Sequence, residues 1–376
     1  MRILISCGDY YPNLGGVPSL IDDITRALLA AGHHASLLTR RWTGFQALER
    51  VNGYDIVRLD YPCLFEKFAL DREFLLRSPG ILWNVARLIR KERIDTVCIG
   101  LLDTSALYLL LLRRLLGFRL ILYLHGSDET RILPRTERSY KFILKWALRA
   151  SDAVVAVSRE LAREAVESEP AAQRKMCVLP NSVDGAELRR AAPRLHPRPY
   201  VAFIGRLVKE KGVDTLIEAF ANARVEGVDL LIAGPGREER TLREQAMAAA
   251  AGDRIHFLGC VPRAECYSLL KSALFVVLPS EREGDPLVAI EARMAGTPLI
   301  GSRIPGIERA VEEGRTGVLF RHGDAKELAA LIEKYCLDRS ALAKLAAGTA
   351  ASDSAQFEIA ALVPRLVAVL EGRGLA

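Results

Sequence analysis

Short apolar runs alternate with amphipathic stretches along almost the whole chain. In the first half, strands are predicted at 2–7, 35–39, 54–59, 94–99, 118–124, 153–157 and 176–179. Helical spacing of the apolar residues predicts helices between them, at 17–31, 80–92, 104–116, 137–149 and 159–167. Strands that alternate with helices indicate an open, mostly parallel sheet with helices on both faces.

A second series begins after residues 191–199, a Pro- and Arg-rich stretch with the composition of a linker. Its strands are predicted near 200–205, 228–233, 255–258, 273–278, 298–301 and 317–320. A chain of 376 residues also exceeds the usual size of one hydrophobic core. The predicted fold class is therefore α/β, with two tandem doubly wound, Rossmann-like domains. In such sheets ligands bind beyond the carboxyl ends of the strands, so we expect a site in a central cleft between the domains.

The predicted domains are an N-terminal one over 1–185 and a C-terminal one over 186–354. A C-terminal helix is expected within 355–376, where the apolar positions have helical spacing. The pattern leaves open whether this helix closes the second domain or crosses back to the first.

Composition narrows the class of protein. Half of the residues are hydrophobic and 26% are charged, which is ordinary for a soluble globular protein. The seven cysteines form no Cys-x-x-Cys pair, and their odd number favours free thiols in a reducing cytoplasm. The strongest apolar run, 107–116, is interrupted by Arg113 and Arg114 and is too short to span a bilayer, so we expect a buried helix there.

Charge is uneven along the chain. The whole net charge of +6 lies in residues 1–180, whereas the remainder is balanced. A basic face on the first domain suits an anionic membrane or a phosphate-bearing acceptor, and it is equally compatible with a solvated surface. One helical segment combines cations with aromatic side chains: Arg135, Arg138, Lys141, Lys145 and Arg149 with Tyr140, Phe142 and Trp146. This pattern predicts either a helix that rests on a membrane surface or a solvated helix face.

A turn rich in carboxylates joins a predicted strand to a predicted helix within 278–296. Glu283 lies in the turn, and Glu291 lies about one turn into the helix. The i, i+4, i+7 spacing of Leu287, Glu291 and Met294 places the Glu291 carboxylate on the apolar stripe of its helix, where it is costly unless paired. Taken alone, such a residue is a structural carboxylate that a buried Arg or backbone amides satisfy.

Cations follow the first strand of the second series. Arg206 comes directly after Gly205, where the strand ends, and Lys211 comes just before the next helix. A guanidinium fork and an ammonium beside a helix N-terminus predict a clamp for a diphosphate, with surface ion pairing as the alternative. Gly234, in the Ala-Gly-Pro-Gly turn after the next strand, allows close approach of backbone but is a weak signal.

Two loops of the first domain carry further candidates. Gly15 and Gly16 precede a helix whose N-terminus favours an anion, although a plain tight turn explains them as well. His125 and Asp128 follow the fifth strand in the loop His-Gly-Ser-Asp. At the carboxyl end of a strand, a His and an Asp are placed to exchange protons or to contact hydroxyls in the cleft. The alternative is a loop histidine that caps the next helix.

Together, these motifs resemble the retaining glycosyltransferases of the GT-B fold, in particular glycosyltransferase family 4 (glycosyltransferase group 1). The likeness covers nearly the whole chain, and the motifs occur in the expected order: the Gly15 loop, the His125 loop, residues 179–184, residues 205–212, and the pair Glu283 and Glu291.

The resemblance implies roles for these residues. Arg206 and Lys211 would hold the donor diphosphate, Glu291 would bind the ribose hydroxyls, and Glu283 would contact the transferred sugar. Gly16 would approach the phosphate or the acceptor, and His125 would lie close to the reacting carbon. The remaining candidates are Gly234, Asp285 and Leu287 on the donor side and Gly15 and Asp128 on the acceptor side.

The implied reaction is transfer of a hexosyl group, with retention, from a UDP- or GDP-linked sugar to a hydroxyl of a saccharide or a lipid-linked acceptor. Arg206, Lys211 and the amides that open the Leu287 helix would stabilise the leaving phosphate. No strong Asp-x-Asp motif lies in a suitable loop, so neither a metal nor a cofactor is expected. The expected location is the cytoplasm or the inner face of a membrane, in polysaccharide or glycolipid synthesis.

One position departs from the family pattern. Many relatives have Phe-Gly after the first Glu, whereas this chain has Gly284, Asp285 and Pro286. Asp285 is expected to add a third acid beside the sugar, which leaves the sugar preference open. Pro286 suits a first helical position, so the helix N-terminus is expected to remain.

Two other functions fit the same motifs. A nucleotide-sugar epimerase would need acid and base groups around the sugar but no acceptor. A non-catalytic nucleotide-sugar-binding subunit would have no need to keep Arg206, Lys211, Glu283 and Glu291 together. Nucleic-acid binding is not expected, because the chain has neither a recognition motif nor a basic aromatic sheet.

Overall fold

The structure is a computed structural model that describes residues 1–8, 10, 15–61, 72–126 and 137–373. The chain divides into two compact units, of which the first comprises Met1–Asn181 with Ile359–Ala376 and the second Ser182–Glu358. The candidate Asp128 lies outside the described residues, as do residues 13 and 14 of the glycine motif.

An eight-stranded sheet forms the centre of the first unit. Its strands are β1 (Arg2–Ser6), β2 (His34–Arg40), β3 (Leu48–Val51), β4 (Tyr54–Leu59), β5 (Thr96–Ile99), β6 (Arg119–Leu124), β7 (Ala153–Ala156) and β8 (Met176–Val178). They lie in the order β3-β4-β2-β1-β5-β6-β7-β8 and are parallel except for β3. The helices are α1 (Gly16–Ala30), α2 (Arg72–Lys91), α3 (Thr104–Leu116), α4 (Glu137–Ala150) and α5 (Arg159–Ser168).

The antiparallel strand β3 was not predicted from the sequence. It pairs with β4 across a two-residue turn, Asn52 and Gly53, whose φ angles of 52° and 90° are both positive. Asn-Gly is the preferred pair for such a turn, because both residues tolerate the left-handed region. Two of the four residues of β3 are exposed and the other two only partly buried, so the apolar pattern is weak and the Asn-Gly turn is the available signal.

Helix α3 is less buried than its sequence predicted. Most of its apolar residues pack against the sheet, but Leu111 and Leu115 are 44% and 77% exposed. The expectation of a fully buried helix was therefore wrong for one side, because a helix on a sheet face contacts that sheet along one stripe. Among the described residues, no helix combines the length and the apolarity that crossing a membrane requires.

A six-stranded parallel sheet forms the centre of the second unit. Its strands are β9 (Tyr200–Ile204), β10 (Asp229–Ala233), β11 (Ile255–Gly259), β12 (Val276–Leu278), β13 (Leu299–Ser302) and β14 (Gly317–Phe320), in the order β11-β10-β9-β12-β13-β14. The helices are α6 (Gly185–Arg190), α7 (Val213–Asn222), α8 (Glu239–Ala248), α9 (Arg263–Ser272), α10 (Leu287–Ala295), α11 (Pro305–Glu308), α12 (Ala325–Leu337) and α13 (Arg339–Ala350).

Strand β9 shows how the second sheet is covered on both faces. Val201 and Phe203 belong to one hydrophobic cluster, whereas Tyr200 and Ala202 belong to another on the opposite face. Successive side chains of a strand point to opposite faces, so a strand covered on both sides is apolar throughout. This is why the strands of the second series read as continuous apolar runs. The predicted fold class, two parallel α/β sheets of Rossmann type, is confirmed.

The order of the second sheet also fixes where its loops meet. Strand β9 lies between β10 and β12, and the chain proceeds first to one side of β9 and later to the other. The carboxyl ends of β9 and β12 therefore flank the switch point of the sheet, where open α/β sheets bind ligands.

The last helix, α14 (Ile359–Leu370), packs against α1 of the first unit. Arg365 donates to the carbonyl of Val178, and Arg119 donates to the carbonyl of Val369, both at 3.3 Å. The sequence left the position of this helix open, and the structure groups it with the first unit.

The first division between the units falls at 181 and 182, four residues before the expected one. Val183 is fully buried in a cluster of the second unit and forms a bridge with Glu358. The bridge to Val183 also holds residues 355–358 in the second unit. Only the segment from Ile359 onward therefore belongs to the first unit.

Candidate active site

The loops after β9 and β10 are held together by backbone contacts. The amide of Gly205 donates to the carbonyl of Ala233 at 2.9 Å, and the amide of Leu207 donates to that of Pro235 at 2.8 Å. Gly234 has a φ of +137°, and a Cβ there would lie 1.9 Å from the Gly205 oxygen. A glycine is thus required at 234 by the neighbouring loop, before any ligand is considered.

Lys211 ends a short 3-10 turn, Lys209–Lys211, that precedes α7. The next residue, Gly212, has a φ of +63°, and a Cβ there would lie 2.3 Å from the carbonyl oxygen of Pro279. The amide of Glu281 also donates to the carbonyl of Glu210 at 2.8 Å. These contacts hold the turn that carries Lys211 directly against the loop after β12.

Glu283 is the residue that Lys211 meets. The ammonium Nζ of Lys211 lies 2.5 Å from Oε1 of Glu283, and the hydroxyl of Ser280 donates to the same oxygen at 2.7 Å. The side chains of Lys211 and Glu283 are only 20% and 10% exposed. An ion pair this far from water needs a further hydrogen bond to offset its desolvation, and Ser280 supplies one.

Asp285 does not stand alone as a third acid. Its side chain is 5% exposed, and a guanidinium nitrogen of Arg309 lies 3.4 Å from its Oδ1. The sequence predicted an additional carboxylate beside the sugar but gave no partner for it. Because a cation opposes its charge, Asp285 adds less negative potential to this loop than the sequence suggested.

Helix α10 carries the other predicted carboxylate. It begins at Leu287, and Pro286 precedes it as the N-cap, one residue earlier than expected, with a φ of −70°. Glu291 is buried at 8% exposure, in agreement with its place on the apolar stripe. Burial and the nearby Glu291 charge raise the pKa of the Cys266 thiol to about 12, so this thiol is neutral.

Arg206 lies half-buried where β9 ends, and Leu287 is half-buried at the start of α10. The first amides of a helix have no partner within the helix and carry its positive dipole end. The switch point of the second sheet therefore combines a cation after β9, the Lys211–Glu283 pair, and a helix N-terminus after β12.

The carboxyl edge of the first sheet carries two glycines and a histidine as its candidate residues. Strands β1, β5 and β6 are neighbours, so Gly15 and Gly16, which follow β1, and His125, which follows β6, belong to the same edge. Gly15 is the N-cap of α1, with extended backbone, and Gly16 is exposed. Neither glycine has a positive φ, so their conformations do not by themselves require glycine.

His125 is buried and stacks on Tyr123, with ring centroids 4.4 Å apart. The Gly100 backbone interacts with the imidazole, but neither ring nitrogen forms a hydrogen bond of full geometry within the part of the chain that the structure describes. Burial lowers the pKa of His125 to about 4, and the Gly100 backbone opposes this only in part. The imidazole is therefore neutral at pH 7.

Sequence reasoning missed three residues that organise this site. Ser280 holds Glu283, Arg309 opposes Asp285, and Gly212 lets the Lys211 turn approach Pro279. Ser280 lies in the carboxylate-rich stretch 278–296, and Gly212 lies in the motif 205–212. The candidate residues beside them were therefore the sequence signal that could have identified them. Arg309 follows a different strand, and the sequence offered no signal for it.

The chain matches two known families. Residues 14–187 match Glycosyltransferase Family 4, and residues 185–351 match Glycosyl transferases group 1. A glycogen synthase of Mycobacterium tuberculosis is 27% identical over 363 residues, which cover 91% of this chain and 87% of that protein. The GDP-mannose-dependent alpha-(1-6)-phosphatidylinositol monomannoside mannosyltransferase of the same organism is 28% identical over 395 residues, with 99% and 98% covered.

The fold agrees with these matches. The structure of Anabaena HepE in complex with UDP-glucose superimposes with a TM-score of 0.80 at 19% identity, over 99% of this chain and 100% of that one. The two family matches follow each other along the chain and cover both units. The resemblance predicted from the sequence is confirmed: the chain belongs to the family 4, group 1 glycosyltransferases of the GT-B fold.

Proposed function

We propose that this glycosyltransferase moves a hexosyl group, with retention of configuration and without a metal, from a nucleotide-diphosphate sugar to a hydroxyl of a saccharide or lipid-linked acceptor. The observation that carries the proposal is the Lys211–Glu283 pair, at 2.5 Å, on the switch point of the second sheet. The pair brings a cation that can bind a phosphate next to a carboxylate that can bind sugar hydroxyls. Both lie at the edge where such sheets bind nucleotides.

The leaving diphosphate is the group that most needs stabilisation. Arg206, Lys211 and the amides of Leu287 and Val288 provide two cations and a helix N-terminus for it. Each preorganised donor of this kind contributes about 100- to 1000-fold in rate. The proposed site can therefore stabilise the leaving phosphate with protein groups alone.

Glu283 is assigned to the transferred sugar. The Lys211 ammonium and the Ser280 hydroxyl hold the carboxylate in place, so it can accept hydrogen bonds from sugar hydroxyls and face positive charge that develops at the anomeric carbon. In the proposed step the acceptor oxygen bonds to that carbon on the face from which the phosphate departs. The hydroxyl proton passes to the leaving phosphate oxygen.

The donor is proposed to be UDP- or GDP-linked. HepE was solved with UDP-glucose, whereas the mycobacterial mannosyltransferase is named for GDP-mannose, so the similar proteins span both nucleotides. Glu291 is assigned to the ribose hydroxyls that the two nucleotides share, which is why it does not decide between them.

The direct test is product analysis with a panel of UDP- and GDP-sugars, each with and without saccharide and lipid-linked acceptors. Transfer should require an acceptor, persist after chelation of metals, and give a product whose anomeric configuration matches the donor by NMR. Inversion would refute retention, and loss of turnover on chelation, restored by metal, would refute metal independence. Conversion of the donor sugar without an acceptor would identify an epimerase instead.

We further propose that one face of the first unit contacts an anionic membrane. On α4, Lys141 and Lys145 are exposed four residues apart, and the adjacent Phe142 is 67% exposed. Helix α3, which packs beside α4, exposes Leu115 at 77%. Exposed apolar side chains among cations complement a surface of acyl chains and anionic headgroups.

Two of the five predicted cations do not contribute to this argument, because Arg135 and the side chain of Arg138 lie outside the described residues. A third, Arg149, lies 2.6 Å from Glu169, which reduces its charge toward a membrane. The proposal therefore depends on Phe142 and Lys145.

Sedimentation with liposomes tests this face. The chain should sediment with vesicles rich in phosphatidylserine at low salt and be released at high salt. The double variant Phe142→Ala, Lys145→Ala should bind more weakly by at least about tenfold, because it loses one aromatic side chain that the membrane would bury and one cation. Leu337→Ala, which removes a 60% exposed side chain of the second unit, is the control. Equal binding by all three proteins would refute the proposed face.

A further inference from the structure

Three polar side chains meet at the end of the second sheet opposite the candidate active site. Asp229 opens β10 and is paired with Tyr200, the first residue of β9. His256 is paired with Leu231, which faces the same side of the sheet as Asp229 because the two are two residues apart. His196 lies in the linker, four residues before β9. The amino ends of three adjacent strands thus bring together a carboxylate and two imidazoles.

The ligand atoms of this cluster converge on one oxygen. Nε2 of His196 lies 2.7 Å from Oδ2 of Asp229, and Nε2 of His256 lies 3.4 Å from the same atom. All three ligand atoms lie within 4.8 Å of one another. The side chain of Asp229 is 5% exposed, that of His196 17%, and that of His256 42%.

The two separations from Oδ2 of Asp229 are close to those of a tetrahedral metal site. Zinc bonds of about 2.0–2.2 Å to imidazole nitrogen and carboxylate oxygen place neighbouring ligand atoms about 3.3 Å apart. The His256–Asp229 separation already has this value. The His196–Asp229 contact is a hydrogen bond in length, and it would open by about 0.6 Å when a metal replaces the shared proton.

Neighbouring groups orient the cluster. The ring of His196 meets Tyr200 edge to face at 5.4 Å, which limits its rotation. A guanidinium nitrogen of Arg198 lies 3.4 Å from Oδ1 of Asp229, the oxygen that the imidazoles do not share. A cation there weakens a metal site by repulsion, but a donor to the second carboxylate oxygen also fixes the orientation of a ligand. The exposure of His256 leaves room for water as a fourth ligand.

The geometry points to a site for a divalent transition metal of the zinc type, formed by His196, Asp229 and His256. Two imidazoles and one carboxylate select such metals over Mg²⁺, which prefers oxygen ligands. The metal would connect the linker to β10 and β11. It would lie one strand length, about 16 Å for five residues, from the loop that carries Gly234, so its role is to stabilise the second unit.

The test uses the full chain after treatment with a chelator and removal of that chelator. Zn²⁺ and Co²⁺ should each raise the temperature of thermal unfolding, whereas Mg²⁺ at the same concentration should not. Calorimetric titration should give one ion per chain. Bound Co²⁺ should show visible absorption of a tetrahedral site without the near-ultraviolet band of a cobalt–thiolate bond. A thiolate band would assign the metal to cysteine and overturn the proposal.

Variants locate the site. His196→Gln and His256→Gln should each weaken Co²⁺ binding by at least about tenfold, since even the loss of an outer partner costs that much. Gln at 196 can still donate to Asp229, so this change separates metal ligation from the hydrogen bond. His322→Gln, which changes an exposed imidazole of the same unit, should leave binding intact.

Two outcomes would show that the cluster is a hydrogen-bonded group held by Arg198 and binds no metal. One is the absence of any shift with Zn²⁺ or Co²⁺, and the other is Co²⁺ binding in His196→Gln and His256→Gln that equals that of the His322→Gln control. Donor affinity should be the same in the His196 and His256 variants as in the unchanged chain, so this test is independent of the proposed transferase mechanism.

Discussion

The carboxyl edges of the two sheets hold their polar groups in opposite ways. In the second unit, Lys211 and Glu283 form a nearly buried ion pair at 2.5 Å, beside a helix N-terminus. In the first unit, His125 is buried and neutral, and the Gly100 backbone opposes the effect of burial only in part. The edge of the second sheet thus carries opposite charges that neutralise each other. The edge of the first sheet carries an uncharged imidazole that stacks on Tyr123.

This difference matches the division of the chemistry in the proposed mechanism. A diphosphate brings charge, and it requires an edge where charge is already present and oriented. A neutral imidazole can accept or donate a hydrogen bond to a hydroxyl without adding charge near the reacting carbon. Under the proposed mechanism, the leaving group therefore belongs to the second unit, and His125 offers a neutral polar contact in the first.

Removing the cations from the second edge should have the largest effect. The double variant Arg206→Ala, Lys211→Ala should lower kcat/KM by about 1000-fold or more, because the leaving phosphate loses two charge-assisted donors. Steady-state release of the nucleotide diphosphate measures this, and circular dichroism checks that the fold persists. Lys209→Ala, an exposed lysine in the same 3-10 turn, is the control. Near-normal turnover of the double variant would exclude the clamp.

Removing the neutral group from the first edge should change the pH dependence of stability. The folded-state pKa of His125 is about 4, below its ordinary value of 6.5, so the unfolded chain binds the proton more readily. This residue's contribution to stability is fully present above about pH 6.5 and is lost as pH falls toward 4, by about 3 kcal/mol.

The measurement is denaturant unfolding between pH 7 and pH 4. His125→Phe, which keeps a ring against Tyr123, should lose less stability over this interval than the unchanged chain. The comparison uses the slope of the unfolding free energy against pH. A loss of stability that the substitution causes equally at every pH therefore does not affect it. His322→Gln controls for an exposed histidine. Identical slopes for His125→Phe and the unchanged chain would show that the imidazole does not resist protonation.

Glu291→Gln should have a smaller effect, confined to binding. A carboxylate that accepts from two ribose hydroxyls contributes about 1.5–3 kcal/mol through each charged hydrogen bond, and the amide retains part of this. Donor affinity by calorimetry should therefore fall about tenfold, with kcat nearly unchanged. Glu226→Gln alters an exposed carboxylate of the same unit as a control. Unchanged donor affinity would remove Glu291 from the ribose site.

Asp285→Asn should have the smallest effect on specificity. Because Arg309 opposes the Asp285 charge, the ratio of kcat/KM for two donor sugars should change by less than about threefold. Arg309→Ala should cost more in thermal stability than Asp285→Asn, since it leaves a buried carboxylate without this cation. A large change in sugar preference in Asp285→Asn would show that the carboxylate faces the sugar despite its ion pair.

Much of the fold and part of the site could be predicted from the sequence. The alternation of apolar strands with amphipathic helices determined the two parallel sheets, because both periodicities are local. The exception, β3, is four residues long and half-exposed, so its apolar pattern was too weak. Glu291 was correctly placed as a buried carboxylate, since helical spacing alone puts it on the apolar stripe.

Local sequence patterns thus specify which residues end strands and which face a core. Which of those residues contact each other depends on the packing of the whole domain. Lys211 and Glu283 are 72 positions apart, and His196 and Asp229 are 33 apart, so no local spacing relates them. They meet because β9 lies between β10 and β12, an order that depends on packing of whole strands and helices. Helix α14 joins α1 for the same reason: its amphipathic pattern requires an apolar partner but does not specify one.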